Sequence, residues 1–356
     1  MTAEIKEELI KAAEISKMYH NGKISWETIS KCTGLDLTPE QLRTQYRLAT
    51  GLSHKARAEK RRNVKTDIKC IENLTSEHAK TDECVSKVFK NEEKPEKIEV
   101  VQNFEPTEHS AIWKGNLKIR FGLMGDTHIN SKFTQLTYLH QFYDECKRQG
   151  ITHIYHTGDI DEGEQMRPGH QYECYTQGAD EHVKEICRVY PNNGIKTHFI
   201  IGNHDSSIIK RCGYNIGLTI TDRRPDMEYL GQDCAIVKLT PNCILELRHP
   251  WDGSAYAISY KIQKHVDAMS GGEKPNIFAV GHYHKAEYIF YRNVHCFQSA
   301  TFCAQTNFMR GKGLAAHMGG WIIDIDVDER GYIQKIIPQL IPFYVAIQDD
   351  YKNFRF

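Results

Sequence analysis

The 356-residue chain lacks net charge, long apolar runs and paired cysteines, and each absence narrows what it can be. Its 46 basic and 46 acidic side chains balance, so attraction to nucleic acid or to a membrane has to come from a local patch rather than a global field. No stretch approaches the ~18 consecutive apolar residues of a membrane span, and Met1 to Leu9 is charged rather than apolar. This predicts a cytoplasmic protein with no leader, anchor or membrane partner. The eleven cysteines are odd in number and include no C-x-x-C pair, which argues against a disulfide framework or a thiolate zinc knuckle. They read as reduced packing residues. No internal repeat is present either. What remains is an ordinary globular composition, 40% hydrophobic and 10% aromatic, with enough apolar material for a core and length for about two or three domains. The 18 histidines stand out.

Charge balances overall yet is unevenly placed. Residues 1–42 carry 5 basic and 7 acidic side chains, 43–69 carry 9 and 2, and 70–100 return to 5 and 8. The last stretch, with one proline and weak periodicity, reads as a solvated linker. Ahead of it, Ile5, Leu9, Ala12, Ala13 and Tyr19 share a helical face and Asn21-Gly22 turns the chain. A second helix starting at Ser25 carries Trp26, Ile29 and Cys32 inward until Gly34. Thr38-Pro39-Glu40-Gln41 then has capping-box spacing with proline at the first helical position. A third helix should therefore run through Leu42, Tyr46 and Ala49, with Arg43, Gln45 and Arg47 facing outward.

From about Leu117 short apolar strands alternate with helical stretches. Strands are expected at Ile119 to Met124, Ile151 to Tyr155, Thr197 to Ile201 and Ile277 to Val280, and helices at Phe133 to Cys146, Glu181 to Tyr190 and Ala257 to Met269. Residues 226–248 and 286–338 look more purely β. The alternation predicts a layered α/β or α+β core with a large sheet.

Five blocks fall at strand ends: Gly125-Asp126-Thr127-His128, Gly158-Asp159, Gly202-Asn203-His204-Asp205, Arg248-His249-Pro250 and Gly281-His282-Tyr283-His284. Loops beyond strand C-termini gather along one sheet edge, so blocks far apart in sequence can converge there. Two carboxylates, one amide oxygen and four imidazoles supply two divalent ions, with one carboxylate shared. The set is too rich in nitrogen for calcium and suits Mn²⁺, Fe²⁺, Zn²⁺ or Co²⁺, among which affinity order does not decide, and Mn²⁺ is the expected ion. Two such ions about 3.5–4 Å apart would turn a shared water into hydroxide near neutral pH and clamp a phosphoryl group for in-line attack.

In this order the blocks resemble the signature of the calcineurin-like metallophosphoesterases, D-x-H, G-D, G-N-H-D/E, H and G-H-x-H, over about residues 101–345. The resemblance implies a four-layer αββα sandwich that hydrolyses phosphoester bonds. It also implies one metal held by Asp126, His128, Asp159 and His284, and a second by Asp159, Asn203, His249 and His282, with Asp159 as the bridge. His204 would face the leaving oxygen as acid or charge stabiliser, with Asp205 as its orienting partner. Ser254 to Ala257, Gly281 to Ala286 and Phe297 to Leu314 resemble more narrowly a subgroup of phage, prophage and archaeal phosphoesterases.

The other residues receive blander readings. His109, His140, His153, His182, His198, His265, His295 and His317 are read as surface or packed residues, and His156 is left open. Asp161, Glu162 and Glu164 are read first as solvated loop carboxylates, with the shaping of substrate electrostatics near the second block as the alternative. Arg310 and Lys312, in a polar loop after the last block, are candidate phosphate contacts, as are Tyr256, Lys261 and Lys264. Residues 1–62 resemble a three-helix helix-turn-helix of Myb/SANT type, with Thr38 to Ala49 as the recognition helix. There Arg43 and Arg47, with the basic tail Lys55, Arg57, Lys60, Arg61 and Arg62, would neutralise backbone phosphates.

The expected organisation is therefore a helix-turn-helix-like module at 1–62, a charged linker at 63–100, the phosphoesterase domain at 101–345 and a tail at 346–356. The expected activity is metal-dependent phosphoester hydrolysis on nucleic acid, a nuclease. The alternatives are a phosphomonoesterase or cyclic phosphodiesterase acting on a small molecule or protein, with the module as a docking element, and a non-enzymatic binding protein on the same fold.

Overall fold

The computed structural model describes residues 106–354 continuously, together with residues 9, 10, 13, 26, 29 and 38–49 ahead of them. The chain divides into two units, Met1–Lys97 and Ile98–Phe356. In the first, helix α1 (Pro39–Ala49) begins where the capping box predicts. The Thr38 amide donates to Gln41 Oε1 (2.8 Å) and the Gln41 amide donates back to Thr38 Oγ1 (3.4 Å), so the two residues satisfy each other's free donors. Leu42 and Tyr46 bury against Leu9, Ala13 and Ile29, with Trp26 packed alongside. Ile5, Ala12, Tyr19 and Cys32 lie outside the described residues.

The described residues of the second unit form twelve strands. In chain order they are β1 (Thr107–Ser110), β2 (Lys118–Met124), β3 (His153–His156), β4 (Lys196–Ile201), β5 (Met227–Gln232) and β6 (Cys234–Thr240). Then come β7 (Cys243–Arg248), β8 (Ile277–Val280), β9 (Ala286–Tyr291), β10 (Val294–Ser299), β11 (Met318–Val327) and β12 (Ile333–Phe343). They form two six-stranded sheets, ordered β12-β11-β2-β3-β4-β5 and β1-β6-β7-β8-β10-β9. Strands β2 to β5 run parallel, as do β7 and β8 in the other sheet.

Side-chain alternation builds the layers, because successive residues of a strand point to opposite faces. Phe121, Leu123, Tyr155 and Ile200 of the first sheet meet Val237, Leu245 and Leu247 of the second in a core between the sheets. Their neighbours Met124, Ile154, Phe199 and Ile201 face outward, under α2 (Leu136–Arg148) and α3 (Ala179–Val189). Helix α2 presents Leu136, Leu139, Phe142, Tyr143 and Cys146, and α3 presents Val183, Ile186 and Val189, at the spacing of a single helical face. Two further helices, α4 (Asn203–Cys212) and α5 (Ile216–Arg223), add Ile208, Ile216 and Ile220 to this layer. On the far side Ile262 and Val266 of α6 (Tyr260–Ala268) cover Phe278, Val280 and Cys296. The result is the four-layer α/β sandwich expected.

Local differences have local causes. Helix α2 starts at Leu136 rather than Phe133, because Thr134 and Gln135 are engaged by loop carbonyls: their amides donate to Ser131 O and Phe302 O. The stretch after β10, read as a loop in a β region, forms the short helix α7 (Asn307–Lys312), whose first turn is capped by the Thr306 hydroxyl. The last residues, read as a tail, pack onto α2: the Asp350 carboxylate of α8 (Asp350–Asn353) accepts the Thr137 amide (2.8 Å) and hydroxyl (2.6 Å). No helix among the described residues is long and apolar enough to cross a membrane.

Candidate metal centre

Three blocks leave the parallel strands β2, β3 and β4 at their C-terminal ends, and two leave β7 and β8 of the opposing sheet. The convergence is therefore across the sandwich, not along one sheet. Main-chain hydrogen bonds tie the blocks within each sheet, Asp126 N–H donating to Gly158 O (2.9 Å) and Gly281 N–H donating to Arg248 O (3.0 Å), and His249 Nδ1–H donating to Thr157 O (2.8 Å) links one sheet's blocks to the other's. Glycine is needed where the loops touch. A Cβ on Gly158, at φ +97°, would lie 2.7 Å from His249 Nδ1. Of the twelve non-glycine residues with positive φ among those described, five are candidate ligands: Asp126, His128, Asp159, His282 and His284. Such conformations cost about 1–3 kcal/mol each and persist where surrounding structure dictates them. Here they aim side chains at a common centre.

The seven candidate ligands come together as two adjoining sets. Asp126, His128 and His284 present donor atoms within 4.8 Å of one another, and so do Asp159, His249 and His282. Asp159 stands between the sets, its Oδ2 3.1 Å from His249 Nε2 and 3.9 Å from His128 Nε2. Asn203 Oδ1 lies 3.0 Å from His249 Nε2 and 2.8 Å from His282 Nδ1. His249, which had the least sequence context, is fully buried in the middle of the group.

Ring orientation tests whether these residues suit cations. His249 Nδ1–H donates to Thr157 O (2.8 Å), and His282 Nε2–H donates to Asp252 O (2.7 Å). His128 Nδ1–H donates to Glu162 Oε2 (2.9 Å). Each ring is thereby held in one tautomer with its other nitrogen facing the centre, the arrangement that outer partners impose on metal-ligating histidines. Those inward nitrogens meet other acceptors, as in the 3.1 Å approach of His128 Nε2 to His284 Nε2. His284 Nδ1 is buried without a hydrogen-bond partner. A positive charge has to lie between these atoms, a proton in the metal-free protein or a divalent ion in its place, so the donor set fits divalent ions.

The electrostatics agree. Burial opposes charge on His128, but Glu162 and the two aspartates outweigh it and hold the ring up at about 9. His249 is likewise held up at about 10 by Asp159 and Asp126 against the cost of burial. Burial, together with the Asp159 charge, pushes Asp126 up to about 7. His282 and His284 are pushed down by burial and by their cationic neighbours, His282 to about 4. Fields that retain protons on two buried rings also favour cations beside them.

Several residues behave differently from their sequence readings. Asp205 does not orient His204: it sits in the first turn of α4, where its carboxylate accepts the amides of Gly202 (2.8 Å), Asp161 (2.8 Å) and Ile160 (3.3 Å). The group that orients His204 is the Glu162 carbonyl, which accepts from His204 Nδ1–H at 2.6 Å. Burial holds His204 below its ordinary value, so the ring is neutral near pH 7 with Nε2 open to the site. Asp161, Glu162 and Glu164 are not solvated but buried. Asp161 pairs with His182 at 2.7 Å, Glu164 pairs with Arg211, and Glu162 clasps both His128 and His170, the latter at 2.7 Å. Sequence reasoning named Glu162 only for substrate electrostatics and missed its hold on His128, and it missed His170 altogether. An acid three positions beyond Asp159 was the available signal for the first, and nothing in the spacing marks the second. His156 is buried and held neutral down to about 3, with its Nδ1 accepting the Gly158 amide.

A recess of about 380 Å³ opens on the centre, lined by His128, Asp159, His204 and His282 and walled by α7. Lys312 lines it and Arg310 does not. Lys261, a second candidate phosphate contact, is instead paired with Asp252 at 2.6 Å. Arg43 is exposed on α1 and Arg47 lies on the same helix, whereas Lys55, Arg57, Lys60, Arg61 and Arg62 lie outside the described residues.

Fold and site together define a phosphoesterase-type domain with a candidate metal centre. The chain belongs to the calcineurin-like phosphoesterase family, whose profile matches residues 119–298, half of its length. Among curated relatives, the DNA polymerase II small subunit of Methanothermobacter thermautotrophicus is 26% identical over 196 residues, 45% of this chain and 40% of that one. The chain thus spans less than half the length of this relative. Solved structures similar to it include an archaeal phosphodiesterase (13% identity, 63% of this chain and 100% of that chain, TM-score 0.36). Another is Vps29 of Entamoeba histolytica, solved with zinc (12% identity, 64% and 100%, TM-score 0.32).

Proposed function

We propose that this chain is a cytoplasmic nucleic-acid phosphodiesterase, a nuclease, that works with two divalent ions, Mn²⁺ first among them. Asp126, His128, Asp159 and His284 would hold one ion, and Asp159, Asn203, His249 and His282 the other. When bound, such a pair activates water and neutralises the phosphoryl oxygens. The protein contributes placement. Asp159 serves both sets, and its Oδ1 also accepts the His204 amide at 2.9 Å, which ties the shared carboxylate to the first turn of α4. His204, with Nδ1–H committed to Glu162 O, would present Nε2 to the leaving oxygen, and it supplies the proton that oxygen needs only in its imidazolium form.

The observation that carries this reading is the set of inward-facing imidazole nitrogens around two buried carboxylates, mounted on five left-handed backbone positions. The nucleic-acid part draws support from the relative named as a DNA polymerase subunit and from the basic cluster at 43–69. In this proposal residues 1–62 form a helix-turn-helix-like module of a phage-type phosphoesterase. That module, joined by a charged linker at 63–100, delivers the catalytic domain to DNA through Arg43, Arg47 and the basic residues Lys55 to Arg62.

The test is product analysis of end-labelled single-stranded and duplex DNA with Mn²⁺ or EDTA, beside Asp159→Asn and His204→Ala. Metal-dependent cleavage lost in both variants is expected. Intact DNA together with turnover of bis(p-nitrophenyl) phosphate would move the substrate to a small molecule or protein.

A further inference from the structure

We propose that the recess beside the metal centre is a nucleotide subsite: it receives one unpaired base of a single-stranded nucleic acid against Phe308, with Lys312 on the neighbouring phosphate. This rests on the nucleic-acid reading above and goes further, because it names what the substrate must present.

The wall of the recess is preformed. Between β10 and β11 the chain makes an excursion closed on itself by Gln305 Nε2–H donating to Leu314 O (2.7 Å) and by the Leu314 amide donating to Met309 O (2.9 Å). Met309, buried, roots the excursion, whereas the next ring along, Phe308, remains 43% exposed at the lip. From the opposite side the Arg167 guanidinium lies 4.6 Å from the Phe308 ring centre and is held there by Glu173. The Arg167 loop is pinned in turn by His170, whose ring is bound to Glu162. Two flat surfaces of complementary character therefore meet at the lip on rigid supports.

Their chemistry selects the occupant. With one face of Phe308 already covered by the Arg167 guanidinium, the exposed remainder of the ring is the stacking surface for a nucleobase, and the exposed Lys312 suits the phosphate that follows in the strand. A polar handle is also present. Ser254, across the recess, has a buried hydroxyl with no hydrogen-bond partner, the kind of group that a base edge can satisfy. A recess of about 380 Å³ suits one nucleoside. It reads the face of a base, and in a duplex that face is covered by stacking, so the substrate must be a single strand or a frayed end.

The experiment compares the full chain with Mn²⁺ on labelled single-stranded oligonucleotides that carry either a base or an abasic sugar beside the cleaved bond. The wild type should prefer the base-bearing strand by about tenfold in kcat/KM, the scale of one stacked base. Phe308→Ala should bring that ratio close to one, and Phe308→Tyr, which keeps a flat ring, should restore it. Lys312→Ala should reduce the salt dependence of binding by about one unit of slope. Equal cleavage of abasic and base-bearing strands, or of duplex and single strand, overturns the subsite and leaves the nuclease reading standing. Intact oligonucleotides alongside turnover of bis(p-nitrophenyl) phosphate overturn both.

Discussion

Replacing Glu162 by Gln probes how the centre is built. The Glu162 carboxylate accepts from His128 Nδ1–H at 2.9 Å and from His170 Nε2–H at 2.7 Å, and it is buried from solvent. Those two bonds, with burial working against them, hold the carboxyl well below the usual carboxylate range. An amide of the same shape has one accepting oxygen, so one of the two imidazole N–H groups then faces an NH₂ donor. If that ring is His128, its tautomer is no longer fixed and its Nε2 no longer points at the centre. Loss of such an outer partner costs about 10- to 100-fold in metal affinity, or about 1.4–2.8 kcal/mol. Calorimetric titration with Mn²⁺ should show two ions bound by the wild type, and one of them weakened by this factor in Glu162→Gln. Glu164→Gln is the control, since Glu164 pairs with Arg211 and does not touch His128. Two ions bound by Glu162→Gln at wild-type affinity would refute the reasoning.

Metal binding should also release protons. His128 and His249, held up at about 9 and about 10, still carry a second proton near pH 7.5, and a cation can take Nε2 only after that proton leaves. Affinity should therefore rise with pH and level off above about 10, and titration in two buffers of different ionisation heat should report the protons released. In the metal-free protein the same raised values contribute stability that is fully present below about 6.5 and lost as pH rises through 9 to 10, so alkaline denaturation should be relieved by added Mn²⁺. His204→Ala should bind metal as the wild type does yet lose about 10²- to 10⁴-fold in turnover, because the ring touches the site without belonging to either ligand set. Phe142→Ala removes a buried ring from the α2 layer and should cost about 3–5 kcal/mol, read by chemical denaturation at fixed metal concentration.

Much of this protein was legible in its sequence because the relevant signals are local. Strand ends followed by Gly-Asp, Gly-Asn-His and Gly-His mark where the backbone must turn sharply while projecting oxygen and nitrogen ligands. Their order along the chain was enough to point to a paired-ion centre. The Thr38 to Gln41 spacing likewise located the start of α1 to the residue, since capping is decided within one turn. The helical stretch expected at Phe133 to Cys146 also falls on α2, although the helix starts three residues later, at Leu136.

Tertiary structure alone decided the rest, because burial and hydrogen-bond partnership depend on elements far apart in the chain. Nothing in Gly158 to Gly163 says that Glu162 lies in the interior, and its role exists only because the loop bearing His170 folds back over it. Asp205 sits beside His204 in sequence, yet the turn of α4 points its carboxylate at the amides of Gly202 and Asp161, while a carbonyl 42 positions upstream takes His204 instead. The five blocks read as converging on one sheet edge, but they come from two sheets that face each other, and only the packing of β2 to β4 against β7 and β8 brings Asp159 within reach of His249. The candidate ligands were thus named by residue type and spacing. The tautomers, the charge and the shape of the recess followed from long-range packing, which no local pattern encodes.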